Sequence, residues 1–386
     1  MKVEWLPGNA LTLLETGGDY FPALIAAIDA ARHEFHLETY IFEDDATGRA
    51  VAAALCRAAR RGAVVRVVVD GFGSPNFPAA LRPLLQAAGV QVQVYRPELA
   101  RFRLRRHRLR RLHRKLAVAD GRVAFVGGIN IIDDADAAHP AAPRFDYAVR
   151  LEGPLLAPIH ASVRQLWTLL TWASFRRRLR LAAPVPTQAA PRGERRAAFV
   201  IRDNLRHRRD IEEAYLEAIA AARGDILLAN AYFLPGLRFR RALFDAAARG
   251  VRVTILLQGR VEYLLQHYAT QALYGALLGR GVRIYEYHRS FLHAKVAVID
   301  DDWATVGSSN IDPFSLLLAR EANVIVRDRE FAAGLRARLG AAMRDGAREL
   351  RPADWQRKPW LHRLASWLAY GLVRMMVGLA GYGGKH

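Results

Sequence analysis

Two stretches of the 386-residue chain carry the same residues at the same intervals. In the first, His113 and Lys115 stand two apart, Asp120 follows, and Gly127 precedes Asn130; in the second, His293, Lys295, Asp300, Gly307 and Asn310 repeat those intervals. Each His-x-Lys leads into a short apolar run that reads as a strand, and side chains two apart on a strand point to one face. An imidazole on such a face is usually a hydrogen-bonded core residue. A lysine beside it is costly to bury unless an anion sits there. Halves packed about a two-fold axis would bring both pairs into one cleft, with Asn130 and Asn310 beside their glycine turns as neutral donors. Such an assembly binds phosphate, with one imidazole placed to attack and the other to move a proton.

Other chemistries fit these residues less well. A metal centre is disfavoured, because no second histidine lies three or four residues from either motif histidine and the lysines oppose a cation. The chain has no Gly-x-Ser-x-Gly elbow and no phosphate-binding P-loop. The single cysteine, Cys56, excludes an intrachain disulfide and a cysteine metal cluster. It sits in an Ala-rich helical pattern as a small core residue, and a reducing, cytosolic setting fits it.

The elements that must position the motifs also come twice. A helical pattern from Tyr20 to Arg32 precedes a strand-like run, Phe35–Phe42. An Ala-rich helix ends at Gly62, and the β-rich run Val64–Val69 follows it. A further helix, Ala79–Ala88, leads to an alternating strand, Val90–Tyr95. In the second half Ile211–Ala222, Asp225–Phe233, Val251–Leu257 and Arg280–Tyr287 repeat the programme. Alternating helix and strand predicts layered α/β structure with a largely buried sheet, and the duplication predicts a pseudo-dimer about an internal two-fold.

The two halves are not equivalent. An extra, strongly basic segment, Arg101–Leu112, precedes the first motif and reads as a lip that contacts anions or a membrane. Gly127-Gly128 of the first copy is Gly307-Ser308 in the second, so Ser308 offers a hydroxyl on one side only, as a phosphate contact or a turn residue. Between the halves lie a helix with Trp167, Trp172 and Arg176–Arg178, and then a Pro-rich linker, Ala182–Arg196. Hydrophobic residues make up 52% and the net charge is +20, which excludes general disorder and favours polyanions such as anionic membrane or nucleic acid. The N-terminus does not read as a signal peptide. The tail from Trp360 to Leu379 is apolar and aromatic but interrupted by Arg363 and Arg374. It suits an interfacial helix better than a span, and that reading is preferred to a helix docked on the core.

The duplicated His-x-Lys-x4-Asp-x6-Gly-Gly/Ser-x-Asn pattern resembles the phospholipase D superfamily. Wider stretches, Trp303–Ser315 and Asp146–Pro154, look like bacterial cardiolipin synthases of the B type. The resemblance implies two similar phospholipase D-like α/β domains, mixed β-sheets flanked by helices, packed as a pseudo-two-fold dimer with a C-terminal amphipathic, membrane-associating segment. The corresponding divisions are residues 1–160, a helix and linker at 161–198, a second domain at 199–348 and the tail at 349–386. It implies transfer of a phosphatidyl group from phosphatidylglycerol through a phosphatidyl-histidine to a second phosphatidylglycerol or related acceptor, with release of glycerol. By similarity His113 is the nucleophile and His293 the acid/base. Lys115, Lys295, Asn130 and Asn310 hold the phosphate oxygens, and Asp146 and Glu321 orient the histidines. Asp120 and Asp300 complete the catalytic motif, with structural roles rather than direct proton transfer. Neither a metal nor an organic cofactor is implied. The expected setting is the cytoplasmic side of the inner membrane, held peripherally. Phospholipase D hydrolysis, a nuclease of the same superfamily and a basic membrane scaffold are the rivals; the apolar tail argues for lipid over nucleic acid, and the intact motifs argue against a scaffold.

Overall fold

The computed structural model describes residues 3–96, 110–134, 143–173, 185–203, 206–313, 315 and 318–377. Most of the basic insert, the Arg176–Arg178 run and the chain beyond residue 377 lie outside the described residues. The first half runs β1 (Leu6–Glu15), α1 (Thr16–Ala30), β2 (Glu34–Thr39), α2 (Ala46–Arg60), β3 (Val64–Asp70), α3 (Leu81–Ala87), β4 (Gln91–Tyr95), β5 (Lys115–Ala119), β6 (Val123–Gly127) and β7 (Tyr147–Glu152). A connecting helix, α4 (Leu156–Ala173), leads to the second half. There follow β8 (Arg195–Arg202), α5 (Asp210–Ala221), β9 (Asp225–Asn230), α6 (Leu237–Ala248), β10 (Arg252–Gln258), α7 (Leu264–Gln271), α8 (Tyr274–Leu278), β11 (Arg283–Tyr287), β12 (Lys295–Ile299), β13 (Trp303–Gly307) and β14 (Glu321–Arg327). The chain then forms α9 (Arg329–Gly346), β15 (Ala347–Leu350), α10 (Pro352–Gln356) and α11 (Trp360–Val377).

Outward from the centre, the strand order is β1-β7-β6-β5-β2-β3-β4 on one side and β8-β14-β13-β12-β9-β10-β11-β15 on the other. Apart from β15, the second order is the first one repeated. The halves are hydrogen-bonded to each other where β1 runs antiparallel to β8, with Leu6 opposite Ala197 and Asn9 opposite Arg195. Within each half a parallel β2–β3–β4 or β9–β10–β11 unit joins an antiparallel meander at β5 or β12.

Alternation along the strands sorts the core into layers. On β5, Leu116 and Val118 enter a cluster shared with Val296, Val298 and Val324 of the other half. Ala117 and Ala119 instead meet α1 and α2 residues such as Leu24, Ile28 and Leu55. Helices thus cover the outer faces, and apolar residues of the two half-sheets pack together between them. The helices follow from local sequence: Asp45 caps α2 by accepting from Gly48 N at 2.7 Å, and Val51, Leu55 and Ala58 recur at helical spacing on its buried face. Gly62 and Gly250, with φ of 88° or more in size (97° and 89°), turn the chain from helix into β3 and β10 at the same place in each half.

Two features bear on the sequence reading. The division expected at residue 160 falls inside α4, whose buried Leu156, Ile159 and Val163 belong to the shared core. The tail forms α11, which docks on α7. Ser366 and Val373 are buried, and His362 Nε2 lies 2.6 Å from Gln271 Oε1. Its opposite face leaves Trp360, Leu361, Leu364, Trp367, Leu368, Leu372 and Met375 exposed. Docking and an exposed apolar face therefore coexist on one helix. No helix among the described residues is long and apolar enough to cross a membrane.

Asp120 and Asp300 close the β5–β6 and β12–β13 turns, both in the left-handed region at φ 49° and 47°. The Asp120 carboxylate accepts from the N–H groups of Arg32, His33 and Glu34, each at 2.8 Å, and so ties its turn to the start of β2. Asp300 does the same for Arg223, Gly224 and Asp225 at the start of β9, at 2.9, 2.7 and 3.1 Å. Replacing Asp120 by Ala leaves donors at a buried strand end without an acceptor, a cost of about 1–3 kcal/mol for each one sealed from water. Asp120→Ala should lower the midpoint of thermal unfolding, and Asp300→Ala should lower it less, because the N–H groups it frees at Arg223 and Gly224 reach solvent. Calorimetry of the two variants checks the order.

Candidate active site

Both His-x-Lys pairs stand at the leading ends of their strands, His113 and Lys115 at β5 and His293 and Lys295 at β12. Each histidine is tied by its backbone to the opposite half. Leu112 bridges to Arg320, and His113 N donates to Arg320 O at 3.0 Å. Phe145 bridges to Leu292, and His293 N donates to Phe145 O at 2.8 Å. The next residues along those bridges are Glu321 and Asp146, so each bridge delivers a carboxylate to the histidine of the other half. His113 Nδ1 lies 2.9 Å from Glu321 Oε1, and His293 Nδ1 lies 2.6 Å from Asp146 Oδ2. A carboxylate only accepts, so each pair fixes the proton on Nδ1 and leaves the Nε2 lone pair free.

The two pairs are built differently. Ser308 donates its hydroxyl to Glu321 Oε2 at 2.5 Å and accepts from Ala322 N at 3.1 Å. It is fully buried and orients the carboxylate, its hydroxyl proton given to Glu321. In the other pair Gly128 takes the place of Ser308. A Cβ there would come 2.4 Å from Asp146 Oδ1, so the shorter carboxylate is accommodated by removing a side chain.

The lysines lie behind the histidines, sealed from solvent. Lys115 Nζ donates to His113 O at 2.5 Å and lies over the Tyr40 ring, 5.4 Å from its centroid. Lys295 Nζ donates to His293 O and lies 3.8 Å from Asp146 Oδ2. Burial disfavours their charged forms and brings Lys115 down to about 7 and Lys295 to about 8, against the opposing pull of Asp146 and Glu321. Burial raises Asp146 to about 6, with Lys295 pulling the other way. It also pushes both imidazoles below their ordinary value, His293 well below, where Lys295, Arg144 and Lys115 add like charge. The site is thus short of negative charge in its empty form, and an entering anion relieves that shortage.

His113, His293, Asn130 and Asn310 line one cleft of about 600 Å³. Asn130 is held by its oxygen, which accepts from Ile41 N at 3.2 Å, so its amide N–H groups are left for a ligand. Asp120 and Asp300 do not enter the cleft. They sit at the far ends of β5 and β12, roughly 16 Å along the strand from the lysines at about 3.3 Å per residue, and there they have the turn-capping role described above. Arg111, from the basic segment expected to contact anions or a membrane, lines the cleft stacked 4.7 Å over Phe72; sequence reasoning missed Tyr40, whose ring lies 4.8 Å from that of His113, and Arg144, Tyr232, Glu262 and Tyr263 near His293. No spacing rule links these positions to the motifs.

Among the described residues one group of side chains could converge on a metal: Glu34, His36 and His160, all buried. Arg66 Nη1 lies 3.2 Å from Glu34 Oε2 and 3.3 Å from His36 Nε2. A fixed guanidinium charge therefore occupies the place a cation would need, and the group reads as a buried hydrogen-bond network that includes Thr187.

Comparison with known proteins agrees with this geometry. The family described as "Cardiolipin synthase, PLD-like domain" matches residues 24–139 and 215–342, one segment in each half. Cardiolipin synthase B of Escherichia coli strain K12 is 40% identical over 382 residues, which is 99% of this chain and 92% of that protein. Cardiolipin synthase A of Pseudomonas putida strain GB-1 is 31% identical over 86% of this chain and 68% of that protein. The crystal structure of a phosphatidylserine synthase from Haemophilus influenzae matches with a TM-score of 0.72 over 97% of this chain and 96% of its own, at 11% identity, a likeness of fold. By its sequence over nearly its whole length, and by a fold that repeats the same half twice, the chain belongs to the cardiolipin synthase family of phospholipase D-like proteins.

Proposed function

We infer that the protein is a cardiolipin synthase, a phosphatidyltransferase that exchanges the alcohol on a phosphatidyl group. The observation that carries the reading is the meeting of two imidazoles, each with a carboxylate on Nδ1 and a free Nε2, above two buried lysines in one cleft. His113, the more open of the two, attacks phosphorus through Nε2. The entering diester anion lets His293 take up a solvent proton on Nε2; the bond from phosphorus to the glycerol oxygen of phosphatidylglycerol then breaks, and the departing oxygen takes that proton. A second lipid hydroxyl then gives its proton to His293 and attacks phosphorus, breaking the P–N bond and regenerating His113. Lys115, Lys295, Asn130 and Asn310 stabilise the oxygens on which charge builds. Glu321 and Asp146 hold the imidazoles in the reacting tautomer and support the charge each gains.

The lipid reading also draws on the surface. Phe72, Tyr263 and Leu264 are exposed at or beside the cleft, and Leu264 opens α7, the helix on which α11 docks. With the exposed apolar face of α11, they suit contact with a bilayer surface, and the net charge of +20 suits anionic headgroups. The protein is proposed to act as a peripheral enzyme on the cytoplasmic side of the inner membrane, with phosphatidylglycerol as donor and no metal or organic cofactor. Residues 1–160 and 199–348 are proposed as its two catalytic domains, with α4 shared between them.

Purified protein given labelled phosphatidylglycerol in micelles should form cardiolipin and free glycerol; phosphatidic acid alone would make it a hydrolase. Rapid quenching should trap acid-labile label on His113, and label on His293 alone would reverse the two roles. His293→Ala should lower transfer by about 10²–10⁴-fold, the usual worth of a positioned acid/base.

The pH profile follows from the charges. Asp146 is protonated below about 6 and then loses its grip on the His293 Nδ1 proton, so kcat/KM falls on the acid side. Lys115 and Lys295 discharge as pH rises through about 7 and about 8, so the empty site binds the diester less well. A bound diester draws both lysines back to their charged form, and the alkaline loss appears as a rise in KM more than a fall in kcat. Assays with a soluble short-chain phosphatidylglycerol between pH 5 and 9 check this, and a flat profile contradicts it.

Trp367→Ala with Leu368→Ala removes two exposed side chains of α11, each worth about 1.5–3 kcal/mol when fully buried. Binding to phosphatidylglycerol vesicles should weaken by at least about tenfold, with turnover of soluble short-chain lipid unchanged. Unaltered vesicle binding in a sedimentation assay would make the α11 face structural only.

A further inference from the structure

The side of the cleft next to His293 opens into a small chamber. Its volume is about 20 Å³, and it shares Tyr232, Glu262, Tyr263 and Gln266 with the main cleft. That is room for one hydroxyl-sized group. The chamber's wall is largely apolar, and its few polar groups are held in place. Tyr232 donates its hydroxyl to Glu262 Oε2 at 2.7 Å, and Arg144 Nη1 donates to Oε1 at 3.3 Å, which leaves lone pairs on both oxygens. Gln258, at the end of β10, accepts from Leu292 N through Oε1 at 3.2 Å, and this bond fixes which end of its amide is nitrogen. Its Nε2 is buried with no hydrogen-bond partner among the described residues, and so is Gln266 Oε1. Gln258 itself is only 8% exposed.

The corresponding place in the first half is different. There Asp70, which ends β3, accepts from Leu112 N at 2.8 Å as Gln258 accepts from Leu292 N. Its other oxygen is taken by Phe72 N and Gly73 N. Asp70 is thereby spent on backbone, and the side chains that face the cleft beyond it are Phe72 and Arg111. The His113 side thus presents a cation and an aromatic ring. The His293 side presents a carboxylate paired with Arg144, together with an amide donor and an amide acceptor that offer hydrogen bonds to a neutral hydroxyl.

We propose that Tyr232, Gln258, Glu262 and Gln266 form a hydroxyl-recognition subsite for the polyol headgroup, holding one free hydroxyl of glycerol while His293 exchanges a proton with the oxygen next to phosphorus. This rests on the transferase reading above and adds to it the side on which the alcohol binds and the class of alcohol selected. The same subsite holds glycerol as it leaves and, in the reverse direction, glycerol as it enters. A simple monohydric alcohol reaches His293 but leaves the buried amides unpaired, and sites built around hydrogen bonds reject such analogues strongly.

The test uses the full chain in micelles of labelled phosphatidylglycerol, with equal concentrations of deuterated glycerol and 1-propanol competing for the phosphatidyl group. Both alcohols draw on the same intermediate, so their product ratio is insensitive to loss of overall rate. The wild-type protein should favour glycerol, and Glu262→Gln, Gln258→Leu and Tyr232→Phe should each reduce that preference, the first two by about tenfold or more. The three variants report independently, so poor folding of one, seen in its melting curve, leaves the other two to decide. A product ratio unchanged within about twofold in folded variants overturns the subsite while the transferase reading stands. Formation of neither phosphatidyl alcohol by the wild-type protein overturns the transferase reading and the subsite with it.

Discussion

The site depends on one electrostatic constraint: two lysines and two imidazoles are withdrawn from water, and the carboxylates of Asp146 and Glu321 stand against them. Lys115 and Lys295 sit 3% and 0% exposed, with Asp146 and Glu321 as the anions that favour their charge. Removing one member of such a buried set costs about 3–5 kcal/mol, because a partner is left charged and alone. The fold meets the constraint by exchange. Each half supplies an imidazole and a lysine, and receives its orienting carboxylate from the other half. The bridges Leu112–Arg320 and Phe145–Leu292 set the register of that exchange, and the shared apolar cluster between the half-sheets holds the register rigid.

The sequence revealed the parts of this design that are local. His and Lys two apart on a strand, and helices closed by glycine before strands, follow from backbone geometry, and both appear where the periodicities placed them. The duplicated order of elements carried the pseudo-symmetry, which the strand order repeats. What crosses between halves has no local signature. Asp146 and Glu321 could be attached to the histidines only through family resemblance, because no spacing within one half relates them. Tyr40, Arg111, Arg144 and Glu262 come from loops whose course depends on the packed whole. Ser308 was left open between phosphate contact and turn for a related reason: whether a buried hydroxyl faces a ligand or a carboxylate is decided by what stands across from it. The tail was posed as a choice between core and membrane, and α11 has a face for each.

Shared geometry with unequal chemistry is the other lesson of the cleft. The backbone places Asp70 and Gln258, Gly128 and Ser308, and Asp146 and Glu321 in matching positions. Asp146 and Glu321 do the same work with side chains of different length, which Gly128 and Ser308 accommodate, and Asp70 and Gln258 share one backbone contact but differ in what else they hold. The difference collects on the cleft walls, cationic and aromatic beside His113, hydroxyl-binding beside His293. The α7 wall on the His293 side is also the helix that α11 braces, through His362 and Gln271.

The crossed carboxylates carry a consequence for how such a chain could arise. A single half, alone, would hold an imidazole with no partner on Nδ1, so an ancestral protein of one copy would have been competent only as a symmetric homodimer. In that dimer every substitution appears on both sides of the axis at once, and the two walls of the cleft are bound to remain identical. Joining the copies in one chain frees each wall to change alone. An alcohol-exchanging enzyme gains from that freedom, since the group it keeps and the group it swaps have opposite chemical character.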